Sequence, residues 1–140
     1  MAMADLARHD GEGAVPLSAI AERQHLSMAY LEQIFLRLRR AGLVESARGR
    51  TGGYKLGRPA AEITIAEIMI AAEEETRMTR CLGEDTVGCL GEGKCLTHNL
   101  WRALGDHIRG FLSSVSLREV LDGVPSSKRI PVASMDVPAE

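Results

Sequence analysis

A chain of 140 residues has the length of one ordinary domain, enough to bury one core and short for two, so a single domain with an accessory element is expected. No apolar run approaches the roughly 20 residues of a bilayer span, and Asp5, Arg8, His9 and Asp10 interrupt any secretory hydrophobic stretch near the start; together these predict a soluble, cytoplasmic protein without a membrane partner. The net charge of -2 conceals two opposed blocks: residues 16–60 carry eight Lys/Arg against three Glu, net +5, and residues 61–95 carry three against eight Asp/Glu, net -5.

In chain order, Met1 to His9 reads as the stub of an amphipathic helix with Met1, Leu6 and Met3 facing inward, before a loop around Gly11 to Gly13. Pro16 opens a compact helix, Leu17 to Gln24, in which Leu17, Ile20 and Ala21 recur at helical spacing. After a turn at His25 and Leu26, Ser27 is an N-cap for a second helix carrying Tyr30, Leu31, Ile34, Phe35 and Leu38 at intervals of three and four, closed near Gly42. Short extended runs, Leu43 to Ser46 and Tyr54 to Leu56, flank a glycine-rich basic turn and predict a hairpin. Helix, turn, helix and basic hairpin in that order make a mainly α fold of winged helix-turn-helix type. Thr64 and Glu67 form a capping-box pair ahead of an apolar stripe of Ile65, Ile68, Met69 and Ala72.

Further on, Leu100, Leu104, Ile108, Phe111 and Val115, with Trp101 and Leu112 beside them, give a long helix an unusually wide apolar seam. A small domain already has its own core, so this seam is expected to pair two copies in a homodimer. Ser116 and Glu119 offer a second capping box for a short helix through Leu121, and the glycine, prolines and serines beyond it suggest a mobile tail. The expected organisation is a winged helix-turn-helix domain over residues 1–75, a cysteine-rich loop over 76–98, a dimerisation helix and short following helix over 97–121, and a flexible tail over 122–140.

Charge runs alone are ordinarily solvated faces, but here the basic block coincides with a helix-turn-helix and a wing, which favours double-stranded DNA as partner. Base reading is expected at the N-terminal part of the second helix, from Ser27, Tyr30, Glu32, Gln33 and Arg37. Gln can bond adenine through N6 and N7, Glu can accept from cytosine N4, and Tyr or Ser can hold phosphate or a base edge. Glu32 is repelled by phosphate unless a base donor meets it, so it is expected to discriminate between sites. Arg48 and Arg50 on the hairpin suit phosphate or a narrow minor groove.

All three cysteines, Cys81, Cys89 and Cys95, crowd one glycine-rich segment that ends in His98. An odd number in one place does not suit a secreted disulfide framework; three thiolates and an imidazole suit a metal in a reduced compartment. Cys95 and His98, three apart, can share a helix face near its start, where the helix dipole favours thiolate. Spacing alone leaves zinc and iron-sulfur both open, although gaps of seven and five residues are wider than the usual zinc knuckle. No pairing of acid, base and nucleophile points to an enzyme.

The runs SMAYLEQIFLRLRRAGLV and RTGGYKLG, followed by CLGEDTVGCLGEGKCLTHNLW, resemble the IscR family of bacterial iron-sulfur cluster regulators and its close winged-helix relatives, over about Val15 to Leu121. The resemblance implies a 2Fe-2S cluster held by Cys81, Cys89, Cys95 and His98, and a long helix from about Thr97 that pairs two subunits. It implies a transcription regulator that represses or activates genes of iron-sulfur biogenesis as cluster occupancy changes, its cluster-free form binding a different class of DNA site. The alternatives are a nitric-oxide or iron-responsive repressor of the same fold whose three cysteines hold a different cluster, and, outside that class, a zinc-stabilised interaction module or a small redox enzyme. Two departures stand out: the family's first helix is longer, so a truncated start or a weakened first element is expected, and Ala29 stands where the family has a small hydroxyl residue.

Overall fold

The computed structural model describes residues 1–50, 52–74 and 95–129. The first helix, α1 (Ala2–Arg8), buries Met3, Leu6 and Ala7, an i, i+3, i+4 stripe. Met1 does not face inward with them: it is 78% exposed, because a residue two positions before Met3 falls on the far side of the helix. Nor is α1 a loose element. Its Asp5, buried, receives Arg23 Nε at 3.2 and 3.1 Å, Arg23 Nη2 at 2.5 Å and Gln24 Nε2 at 2.8 Å, which fastens α1 to the second helix.

That helix, α2 (Leu17–Gln24), buries Ile20 and Ala21 and is stopped by His25, left-handed at φ 53°. Ser27 then caps α3 (Met28–Arg40), its Oγ accepting from the Tyr30 amide at 3.2 Å, and Leu31, Phe35 and Leu38 form the buried stripe. The end of α3 is a Schellman closure. Gly42, at φ 73°, donates to the Arg39 carbonyl and Leu43 donates to that of Leu38, both at 3.0 Å. Leu43 is thereby spent on the helix terminus, so the first strand runs one residue later than its apolar pattern suggests.

Strands β1 (Val44–Ala47) and β2 (Gly53–Leu56) pair antiparallel with Val44 opposite Leu56 and Ala47 opposite Gly53. Val15 adds a bridge to this wing by exchanging two backbone bonds with Tyr54, at 2.9 and 2.8 Å. Only glycine fits at position 53, where a Cβ would stand 2.3 Å from the Val15 carbonyl oxygen. The Tyr54 ring meets Phe35 edge-on at 4.9 Å, joining wing and core.

Beyond a 3-10 turn at Ala60–Glu62 come α4 (Ile65–Ala71), α5 (His98–Ser114) and α6 (Leu117–Asp122). Both expected capping boxes form, Thr64 with Glu67 and Ser116 with Glu119. Ile65 donates to the Val115 carbonyl and Leu117 to that of Ile63, so the junction between α5 and α6 is sewn to the start of α4, and α6 lies on α1. Leu6, Ile20, Leu31, Phe35, Leu38, Leu43, Ile63 and Leu117 make the fully buried centre. The result is a winged helix with α5 packed on α4.

The segment expected to be a free tail from residue 122 begins otherwise: Ser126–Lys128 is a 3-10 turn whose Lys128 Nζ donates to Glu119 at 2.7 and 2.8 Å and to the Ser114 carbonyl. Pro131 and Pro138 lie outside the described residues. Among the described residues no helix is long and apolar enough to cross a membrane.

Candidate nucleic-acid interface and metal ligands

Because α3 advances about 100° per residue, the buried stripe of Leu31, Phe35 and Leu38 places Ala29, Gln33, Leu36 and Arg40 along the opposite, outward line, with Glu32 beside it; all five are exposed. Glu32 and Gln33 therefore stand where the sequence expects readers of bases. Ser27 is exposed, but its hydroxyl oxygen accepts the Tyr30 amide as the cap. Arg48 and Arg50 are exposed at the tip of the wing, flanking Gly49 at φ 128°. Arg39 reaches toward this wing, its Nη1 lying 3.4 Å from Ser46 Oγ.

Tyr30 and Arg37 also make contacts within the chain that the sequence does not foretell. Seven residues apart, they share the flank of α3 that faces the end of α4. Tyr30 donates its hydroxyl to Glu74 Oε1 at 2.8 Å, and Arg37 donates to the Ala72 carbonyl at 3.1 Å and pairs with Glu73 at 3.2 Å. The hydrogen bond to Glu74 raises the Tyr30 pKa, so the phenol stays protonated and donating. Glu73 is left-handed at φ 56°, and this turn leads the chain off α4. The recognition helix is thus held to the residues that immediately precede the cysteine segment. Leu36 and Arg40, which the sequence reading did not put among the DNA contacts, lie on the outward line; their spacing of seven and eleven from Ala29 is the signal that identifies them.

Of the four expected metal ligands, Cys81 and Cys89 lie outside the described residues, whereas Cys95 and His98 are described and close together. His98 is the first residue of the 17-residue α5, its amide donating to the Cys95 carbonyl at 3.1 Å. Cys95 Sγ lies 3.5 Å from Thr97 Oγ1. Both side chains are half-buried. A thiol and an imidazole gathered at a helix N-terminus, where partial positive charge stabilises thiolate, are a fitting donor pair for iron or zinc.

Among the described residues the seam of α5 is only partly covered. Leu100 is 62% and Phe111 37% exposed, while Trp101, Leu104, Ile108 and Leu112 are half-buried. Within the chain the helix touches α4 and hands Val115 to the core at its end.

The Rrf2 family model, described as an iron-dependent transcriptional regulator, matches residues 1–123. The HTH-type transcriptional regulator IscR of Photorhabdus laumondii is 54% identical over 121 residues, covering 86% of this chain and 73% of its own length. Among solved structures, that of T. potens IscR superposes with a TM-score of 0.68 at 36% identity, covering 92% of this chain and 84% of the other. CymR (YrzC), the global cysteine regulator of B. subtilis, superposes with a TM-score of 0.68 at 33% identity, covering 86% and 87%.

Proposed function

The chain belongs to the Rrf2 family of transcriptional regulators, and from that premise we propose that it is a homodimeric DNA-binding regulator that senses iron-sulfur cluster supply through a 2Fe-2S cluster. The cluster's ligands are Cys81, Cys89, Cys95 and His98, and its occupancy controls iron-sulfur biogenesis genes. The observation that carries this reading is the pairing of Cys95 with His98 at the start of α5, His98 amide to Cys95 carbonyl at 3.1 Å. The fold alone does not choose the signal, since a cysteine regulator shares it; the three cysteines and the histidine in one segment, together with the similarity to IscR, support the cluster reading. When bound, such a cluster supplies a redox-active centre whose presence depends on iron and sulfide.

The chain's own residues supply the link to DNA. Arg37 and Tyr30 hold Ala72, Glu73 and Glu74, and the cysteine segment follows directly, so any rearrangement of that segment bears on the pitch of α3. Glu32, exposed beside the outward line, then accepts a base donor or is repelled by phosphate according to that pitch. The partly covered seam of α5 supports a second copy as its cover, because an apolar strip of this length is costly in water.

Visible absorption of anaerobically purified protein tests the reading. A coloured protein containing iron and sulfide, whose bands shift or bleach in His98→Ala, is expected. A colourless protein containing zinc refutes the cluster, and a coloured His98→Ala protein with unchanged bands removes His98 and favours the three-cysteine sensor.

A further inference from the structure

Leu36 is an anomaly on the recognition helix. The inward stripe of α3 is complete without it, in Leu31, Phe35 and Leu38, all fully buried, yet Leu36 is a large apolar side chain left 40% exposed. It occupies the middle of the outward line, three residues after Gln33 and four before Arg40, and Ala29 lies two turns earlier on the same line. We propose that Leu36 is a specificity-determining residue that reads the 5-methyl group of thymine in the major groove, with Ala29 extending the same apolar contact toward the N-terminus of the helix. The proposal rests on the DNA-binding reading above.

Three observations select this occupant. Cations frame the leucine: Arg40 follows it on the same line, Arg39 reaches back toward the wing, and Arg48 and Arg50 are exposed on the wing itself. A surface framed this way attracts a polyanion, which an apolar protein partner is not. Next, Gln33 and Glu32 on the same face carry hydrogen-bonding groups suited to adenine and cytosine edges, so the leucine is continuous with a base-reading surface. Finally, the one apolar feature of the major-groove edge is the thymine methyl, the chemistry able to cover an aliphatic side chain there without stranding a polar group. With Ala at position 29 and Leu at position 36, this line of the face offers apolar contact and no hydroxyl donor or acceptor at either place, which favours thymine at the bases these residues meet.

The experiment selects a preferred duplex for the full-length protein from a randomised pool, then replaces each thymine singly by deoxyuridine, which removes the methyl and nothing else. At one position per half-site the wild type should bind the uracil duplex about three- to fourfold more weakly, the scale of one buried methyl group. Leu36→Ala should bind the thymine and uracil duplexes equally, and Leu36→Met, which keeps apolar length, should restore part of the difference. Position 36 is exposed, so circular dichroism should report an unchanged fold for both variants. If every uracil duplex binds wild type as well as its thymine parent, or if Leu36→Ala keeps the difference, the leucine is not the reader, though DNA binding stands. If no duplex is preferred over random DNA, the DNA-binding reading itself fails. If Leu36→Ala instead changes the oligomeric state at unaltered selectivity, a second copy covers the residue and the proposal is overturned.

Discussion

Asp5 offers a stability test of the link between α1 and the helix-turn-helix. Its side chain is 4% exposed and accepts four hydrogen bonds, three from Arg23 and one from Gln24. Removing one partner of a fully buried pair costs about 3–5 kcal/mol because the other charge is stranded. Arg23 is 38% exposed, so its guanidinium can rehydrate, and the loss in Asp5→Ala should fall to about 2 kcal/mol, the scale of charge-assisted hydrogen bonds. Asp5→Asn keeps the shape and one acceptor and should lose about 1 kcal/mol.

The pH dependence follows from direction. Hydrogen bonds from Arg23, with Gln24 and the Arg23 charge adding to them, outweigh desolvation and hold the Asp5 carboxyl below its ordinary value. A depressed pKa contributes stability that is whole above the unfolded-state value of about 3.9 and is lost as pH falls through the lower folded-state value. The gap between wild type and Asp5→Asn should therefore be level from about pH 7 to pH 5 and close only below about pH 4. Glu67, lowered by the Thr64 amide and Arg58, and Glu119, lowered by Lys128 and the Ser116 amide, titrate alike in both proteins and cancel in the difference. Urea unfolding followed by far-ultraviolet circular dichroism at one fixed protomer concentration measures the gap. A gap under about 0.5 kcal/mol at neutral pH, or one that closes between pH 7 and pH 5, refutes the argument.

Arg48→Ala should lower the slope of log affinity against log salt by about 1, whereas Gln33→Ala should cost about 1–3 kcal/mol on the preferred duplex alone; equal losses on random DNA would remove Gln33 from the base readers. Ile108→Glu places a charge in the centre of the α5 seam and should yield monomers by sedimentation; a persistent dimer means that the seam is covered in another way. Arg37→Ala combined with Tyr30→Phe breaks solvent-exposed links and should cost the fold under about 1 kcal/mol. It should also reduce the difference in affinity between cluster-loaded and cluster-free protein by about fivefold or more, and an unchanged difference would exclude this route of coupling. In a Cys89→Ala background, Glu32→Ala should improve binding to the cluster-dependent duplex; equally weak binding would show that Glu32 is not the gate.

Much of the architecture was legible because it is local. Ser27, Thr64 with Glu67, and Ser116 with Glu119 cap their own helices within three residues, and Leu31, Phe35 and Leu38 repeat at the helical period. Such signals need no knowledge of the rest of the molecule, and the same holds for the closeness of Cys95 and His98, three residues apart across the turn that leads into α5. The identity of the metal was not legible in their spacing, since thiolate and imidazole serve zinc and iron alike. Tertiary structure decided the pairings that cross long stretches of chain. Asp5 reads as an ordinary polar residue of a short helix until Arg23, 18 positions on, is brought beside it. Tyr30 and Arg37 read as groove contacts from the sequence, and only the tertiary structure shows their bonds to the end of α4, 44 and 35 positions away. Leu36 falls outside the apolar stripe of its own helix by spacing, and the tertiary structure adds that no neighbouring element among the described residues covers it, leaving it 40% exposed. Capping and periodicity are short-range hydrogen-bonding and steric effects, whereas which face of a helix meets core, neighbour or solvent is set by the assembled layers around it.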